Sequence, residues 1–191
     1  MQKPAVFIDR DGTLIKDVSY IKDVEDLELF DKTIFAIKKL NQAGYRAIVV
    51  SNQSGVARRY CTESDVKRIN AKLKSLLQEQ GAYLDGFYYC SHYKQGIVKE
   101  YAKDCNCRKP ETGLIKQALR AFPDINLKKS YVVGDKACDV KLAQNAGCRG
   151  VLVLTGHGEE NRKLCCPDFV AEDIDSAVEW ILKDSETAEK F

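Results

Sequence analysis

Five short apolar runs leave this chain few folds to choose from. Ala5–Ile8, Tyr45–Val50, Gly86–Tyr89, Tyr131–Val133 and Val151–Leu154 are rich in β-branched or aromatic residues and show little polar alternation. A strand with one wet face alternates apolar and polar residues, so runs like these belong to strands buried on both faces. Between them, Lys32–Gln42, Thr62–Gln80, Thr112–Ala121, Ala137–Asn145 and Ile174–Lys183 read as helices. Thr62 and Asp65 have the spacing of a capping box. Gly44 and Gly81 stand where left-handed residues close helices. Strands alternating with helices predict an α/β fold, a doubly wound and mainly parallel sheet with helices on both faces.

At 191 residues the chain is expected to form one domain, residues 1–183, with residues 184–191 as a frayed tail. Thirty Lys and Arg against 28 Asp and Glu give no net field toward nucleic acid or a membrane surface. Met1-Gln2-Lys3-Pro4 leads straight into the first strand, and no apolar run approaches the roughly 20 residues of a membrane span. The expectation is a soluble cytoplasmic protein, monomeric, with a small-molecule partner. In that compartment eight cysteines do not make a disulfide framework, which directs attention to metal binding.

The first strand ends in "DRDGT". Asp9 and Asp11 are two residues apart, and alternate residues of a strand point the same way. Carboxylates about 6–7 Å apart along a strand repel unless a cation lies between them, although a strand followed by a polar turn reads the same. The second strand runs into Ser51, Asn52, Gln53 and Ser54, whose hydroxyls, amides and backbone N–H groups suit a phosphate oxygen and are also ordinary turn formers. A fourth strand ends in Gly134-Asp135-Lys136, with Asp139 four residues past Asp135 as a supporting carboxylate. Three carboxylates from two strands, Asp9, Asp11 and Asp135, suit Mg2+, which takes oxygen ligands and keeps waters. Lys109, extended before Pro110, supplies a cation to offset an anionic substrate.

Cys90-x-His92 and Cys105-x-Cys107 offer three thiolates and an imidazole, a set suited to structural Zn2+ with no open position. Zinc would stiffen the loop 90–107, which has no core of its own, and fix Arg108 and Lys109 behind it. Cys61, Cys138, Cys148, Cys165 and Cys166 are expected as small buried or half-buried thiols, and His157 as a surface residue.

Together "DRDGT", Ser51, Lys109 and "GDKACD", in this order at strand ends, resemble the haloacid dehalogenase-like phosphatase superfamily, which has a Rossmann-like fold. The resemblance implies Asp9 as nucleophile, Asp11 as general acid/base, Ser51 and Lys109 as holders of the phosphoryl group, and Asp135 as completing the Mg2+ site. The zinc loop, with "NQSGVAR", "FYYCSH", "CNCRKP" and "VVGDK", resembles the capless D-glycero-D-manno-heptose 1,7-bisphosphate 7-phosphatases. That implies removal of the 7-phosphate, with the 1-phosphate kept for nucleotide activation on the way to lipopolysaccharide heptose or a surface glycoprotein. Asp17, Val18, Ser19 and Tyr20 match the family's sugar-contacting segment, although "DVSY" is not its commonest wording. Arg108 suits a second phosphate, and Lys136 completes the expected substrate contacts. Arg59 and Tyr60 depart from the family's usual glycine and basic residue. Histidinol-phosphate phosphatases share the four motifs and a zinc loop, usually with a shorter spacer than the twelve residues between His92 and Cys105. A non-catalytic sugar-phosphate binder on the same fold would need neither Asp9 nor Asp11.

Overall fold

The computed structural model describes residues 2–188. Among these, six strands form one sheet: β1 (Ala5–Ile8), β2 (Arg46–Asn52), β3 (Gly86–Cys90), β4 (Tyr131–Gly134), β5 (Arg149–Val153) and β6 (Phe169–Ala171). Their order is β3-β2-β1-β4-β5-β6, and every pairing is parallel. The helices are α1 (Thr33–Gln42), α2 (Ser54–Ala57), α3 (Glu63–Glu79), α4 (Gly113–Ala121), α5 (Ala137–Ala146), α6 (Gly158–Asn161) and α7 (Ile174–Ala188). No helix among the described residues is long and apolar enough to cross a membrane.

The sheet has a core on each face, which is why its strands are apolar throughout. Val6 and Ile8 of β1, Ala47 and Val49 of β2, and Tyr131 and Val133 of β4 join one core with residues of α1, α3 and α7. The intervening Phe7, Ile48, Val50 and Val132 join the other, against α4 and α5. The two-residue period of a strand sorts neighbours into the two layers. Thr62 and Asp65 form the expected capping box, with Thr62 N–H donating to Asp65 and Asp65 N–H to the Thr62 hydroxyl at 3.2 Å. Gly44 and Gly81 are left-handed, at φ +78° and +74°.

Among the differences from expectation are a sixth strand and the end of the last helix. β6 is only three residues long, with Phe169 and Val170 half-buried, and so short an edge strand carries no readable periodicity. α7 continues past Lys183 to Ala188, so the expected tail from Asp184 begins as helix; residues 189–191 lie outside the described residues. Asp184 accepts a hydrogen bond from the Tyr131 hydroxyl at 2.6 Å and pairs with Arg149. Trp180 of α7 stacks on Phe169 at 4.9 Å and meets Tyr131 edge-on at 6.0 Å, sealing the β6 side of the sheet.

This strand order reverses direction between β1 and β4. Crevices at such a switch point, beyond the strands' carboxyl ends, are where open parallel sheets bind ligands. Docking of α7 is testable at Ile181, which is fully buried in its core. Ile181→Ala should lower unfolding free energy by about 2–5 kcal/mol, read as a shifted denaturation midpoint at constant slope. A loss below about 1 kcal/mol would mean that α7 is not part of the core.

Candidate active site

β1 delivers Asp9 to the switch point. Its backbone N–H continues the ladder to Val133 at 2.8 Å, and its Oδ1 accepts from Arg10 N–H, also at 2.8 Å. Gly12 then turns the chain at φ +86°, where a Cβ would lie 2.2 Å from an Asp135 oxygen, so the turn needs glycine for both conformation and space. Asp11 does not face the same neighbours as Asp9. Its carboxylate is gripped by the Arg10 guanidinium, with Nη2 at 2.9 Å from Oδ1, and by Gln53 Nε2 at 2.7 Å. Arg10 is itself fully buried and donates on to Asn70 and to Gln53 Oε1. The cation beside Asp11 is therefore the arginine of its own motif.

Ser51 and Asn52, expected beyond the second strand, are its last two residues, in register with Tyr89 and Cys90 of β3. Ser51 Oγ lies 2.7 Å from Gln53 Nε2 and 3.4 Å from Asp11 Oδ2. Asn52 spends its amide on Lys109, donating to Lys109 C=O at 3.1 Å and accepting Lys109 N–H at 2.9 Å. The Gln53 N–H, expected to be open to a phosphate, donates to Cys90 C=O at 2.8 Å. Asn52 and Gln53 thus hold other groups of the site in place. Lys109 is 3 % exposed. Its Nζ reaches Asp9 Oδ1 at 2.8 Å, Asp139 Oδ1 at 2.6 Å and Val50 C=O at 2.9 Å. Burial works against this ammonium, but Asp139 and Asp9 outweigh it and keep its pKa above the ordinary lysine value.

The carboxylates that converge are Asp9, Asp135 and Asp139, with oxygens within 4.8 Å of one another. Expectation had grouped Asp11 with Asp9 and Asp135; Arg10 and Gln53 turn it away. Both oxygens of Asp139 are engaged, one by Lys109 and one by Lys136 N–H at 3.1 Å. Asp135 is different: Oδ2 accepts His157 N–H at 2.9 Å, but Oδ1 is buried without a donor. Burial, and then the charge on Asp9, push the Asp135 carboxyl up to about 7. An orphaned buried oxygen beside a second carboxylate, both hard ligands, fits a divalent cation.

Above these groups lies a cavity of about 380 Å³ lined by Asp9, Asp11, Asp17, Ser19, Tyr20, Ser51–Ser54, Arg108, Lys109 and Lys136. Val18 is not among its walls; it lies over a neighbouring hollow and is half-exposed. Tyr20 packs on Tyr60 with ring centroids 4.6 Å apart, and Ser19, Tyr20 and Arg59 have φ of 54°, 69° and 63°. Asp17 accepts Ser19 N–H at 3.0 Å and pairs with Lys136 at 3.3 Å. Burial opposes its charge, but these contacts prevail and hold its carboxyl below the usual range.

Six wall residues lie outside the expected set: Arg10, Ile21, Gly55, Arg58, Cys138 and His157. His157, expected on the surface, has its Nε2 3.5 Å from Asp17. It is brought there by Gly156, at φ +57°, where a Cβ would strike Asp135 and Gly12. The glycine-punctuated "TGHG" was the available signal. Cys166 is exposed rather than half-buried.

Cys90, His92, Cys105 and Cys107 come together as expected. Their sulfurs are 3.0–3.5 Å apart, and His92 Nδ1 lies 3.3 Å from Cys107 and 3.9 Å from Cys90. A tetrahedron with metal–sulfur bonds of about 2.3 Å has edges of about 3.8 Å, so modest expansion would admit an ion. The loop meets the cavity wall through Arg108, whose Nη1 donates to His92 C=O at 3.2 Å.

Residues 106–177 match the HAD-hydrolase-like family. The chain is 43% identical over 190 residues to the D-glycero-D-manno-heptose-1,7-bisphosphate 7-phosphatase of Thermosynechococcus vestitus, covering 95% of this chain and 96% of that protein. It is 36% identical to the D-glycero-beta-D-manno-heptose-1,7-bisphosphate 7-phosphatase of Escherichia coli K12, covering 94% and 88%. Its fold superposes on the D,D-heptose 1,7-bisphosphate phosphatase of B. bronchiseptica, solved with magnesium and phosphate, with TM-score 0.84 and 28% identity over 95% of this chain and 99% of that one. With similarity running through nearly its whole length, the chain belongs to the D-glycero-D-manno-heptose-1,7-bisphosphate 7-phosphatase family.

Proposed function

We propose that this protein hydrolyses the 7-phosphate of D-glycero-D-manno-heptose 1,7-bisphosphate, with the six-stranded sheet and its helices through α7 as one catalytic unit. The observation that carries the reading is Asp9, buried at the switch point with Lys109 at 2.8 Å and opening onto a cavity with Arg58, Arg108 and Lys136 in its walls. An anionic nucleophile meets an anionic phosphate only where fixed positive charge offsets both.

In this mechanism an Asp9 oxygen attacks phosphorus and the bond from phosphorus to the C7 oxygen breaks. Asp11, fixed by Arg10 and Gln53, gives its proton to the leaving oxygen. It then takes a proton from the water that attacks the aspartyl-phosphate, which returns Asp9 and releases phosphate. Ser51 and Lys109 hold the phosphoryl oxygens. Asn52 acts by fixing the Lys109 backbone. Asp9 and Asp135 are the side chains that would hold Mg2+, which when bound supplies positive charge next to the transferred group. Zn2+ held by Cys90, His92, Cys105 and Cys107 is structural, since its four ligands leave no open position.

Steady-state phosphate release should favour the heptose bisphosphate over histidinol phosphate by about a hundredfold in kcat/KM, about 2.7 kcal/mol of transition-state discrimination. Both anomers belong in the comparison. Preference for histidinol phosphate would move the protein to that other branch with its mechanism intact. Asp9→Asn should remove at least ~10³-fold of turnover while the fold survives. Near-normal turnover would remove Asp9 from its role as nucleophile, whereas a wild type that releases no phosphate with magnesium would favour a binding protein.

Magnesium should raise the melting temperature more at pH 8 than at pH 5.5. With its carboxyl pushed from 3.8 to about 7, Asp135 of the metal-free protein still holds a proton at about pH 5.5, which a cation must displace. Ionising it without metal weakens the fold as pH rises through that interval, because the unfolded chain gives up the proton first. An equal shift at both pH values would exclude Asp135 as a ligand.

Metal analysis of the purified protein should find about one zinc per chain. Cys107→Ser should lose that zinc and lower the melting temperature. A variant that keeps both would show that the cysteine cluster is not a metal site.

A further inference from the structure

One residue on the core face of α3 is polar. Val66, Ile69, Leu73 and Leu77 make the buried stripe of that helix, and Asn70 lies in it. Residues three, four and seven apart share one face of a helix, so packing alone favours an apolar side chain at this position. A buried amide is costly unless it is hydrogen-bonded. Asn70 Oδ1 accepts from Arg10 Nη1 at 2.9 Å. Arg10 holds Asp11 from one side, and Asn70 holds Arg10 from the other.

The guanidinium has a partner at each nitrogen. Nε and Nη2 grip Asp11 Oδ1 at 3.2 and 2.9 Å, Nη2 also reaches Gln53 Oε1 at 3.0 Å, and Nη1 reaches Asn70. Because the group is planar, fixing Nη1 sets the plane in which the other two nitrogens meet the carboxylate. An apolar residue at position 70 would leave a buried N–H unbonded and free that plane to tilt. The helix behind Asn70 is itself anchored to the site. Glu63, in its first turn, accepts from the Ser91 hydroxyl at 2.7 Å, and Ser91 lies between Cys90 and His92. Arg68 donates to Lys22 C=O at 3.3 Å, next to Ile21 of the cavity wall. One helix thus refers the cysteine–histidine loop, the loop over the cavity and Arg10 to a common frame.

We propose that Asn70 is a positioning residue for proton transfer: acting through Arg10, it sets where the Asp11 carboxyl stands relative to the leaving oxygen. This rests on the reading of Asp11 as proton carrier. In the step concerned, an Asp9 oxygen bonds to phosphorus and the bond from phosphorus to the substrate oxygen breaks, its electron pair staying on that oxygen. The Asp11 proton moves onto the same oxygen and leaves a carboxylate behind. A sugar alkoxide is a poor leaving group and needs that proton, whereas 4-nitrophenolate departs as the anion. Misplacing Asp11 by a fraction of an ångström therefore slows the first kind of substrate and spares the second.

The test compares heptose 1,7-bisphosphate with 4-nitrophenyl phosphate in wild type, Asn70→Leu, Asn70→Ala, Asn70→Asp and Asp11→Asn, each checked for folding by its melting curve. The quantity read is kcat/KM, which covers the steps up to the aspartyl-phosphate. Asn70→Leu and Asn70→Ala should lower it by about 10–100-fold for the sugar phosphate and by less than about threefold for the nitrophenyl ester. Asn70→Asp, which keeps an acceptor for Nη1, should restore most of the loss. Asp11→Asn should show the same contrast between substrates, more steeply. Equal losses on both substrates in the Asn70 variants, or no loss on either, would overturn the positioning role, while a selective loss in Asp11→Asn leaves the mechanism standing. If Asp11→Asn slows both substrates equally, Asp11 is not the proton carrier, and the role of Asn70 fails with it. Should wild type prefer histidinol phosphate, also an alkyl ester, that substrate replaces the heptose and the comparison keeps its force.

Discussion

A buried ammonium ties this site together. Lys109 Nζ meets Asp9 at the end of β1, the Val50 carbonyl in β2 and Asp139 in α5. Removing a charge this deeply from water costs several kcal/mol, recovered only where partners are close and well directed. Three acceptors within 3 Å, from three different elements, meet that requirement. The same demand fixes the loop that carries the lysine: Asn52 spends both ends of its amide on the Lys109 backbone. Removing the lysine side chain would leave two buried carboxylates repelling one another, so the cation is structural before it is catalytic.

The topology explains why these groups meet. At the switch point, β1 and β4 send their following connections to different sides of the sheet, and a crevice opens that neither side covers. Asp9 and Asp135 enter it from those two strands, and Ser51 enters from the last rungs of β2. Strand pairing to β3 makes that edge stiffer than a loop would be. Catalytic groups held on strand ends keep their geometry before substrate arrives, which is what electrostatic stabilisation of a transition state needs.

The strands were legible in sequence because both faces of the sheet are buried, leaving uninterrupted apolar runs such as Val6–Ile8. β6 was not, because three residues at an edge, two of them half-buried, carry no period. Asp9, Asp135 and the four metal-loop ligands could be picked out because each sits where a pattern breaks, a charge after a buried run or paired thiols in a chain expected to keep them reduced. Lys109 was marked by its place before Pro110 and behind the cysteine pair. What sequence could not show is which neighbour each side chain chooses. Asp11 has the spacing to join Asp9, yet Arg10 lies between them in the chain and reaches Asp11 first. Gln53 N–H looked open to phosphate until β3 supplied the Cys90 carbonyl. His157 lies outside the motifs, and Arg58 closes "NQSGVAR" with no sign there of where its side chain goes; packing at Gly156 and Gly96 accompanies their arrival at the wall.

Charge distribution also accounts for hydrolysis at one phosphate rather than both. Around Lys109 the cations are interleaved with carboxylates, one of them the nucleophile and another with an oxygen left without a donor. A phosphate placed there meets an attacking group, a proton carrier in Asp11 and a place for a divalent cation. On Tyr93 the guanidinium groups of Arg58 and Arg108 have no carboxylate partner among the described residues, so that part of the wall offers no nucleophile. Cleavage is confined to the place where Asp9, Asp11 and Lys109 meet, because attack needs all three groups aligned on one phosphorus.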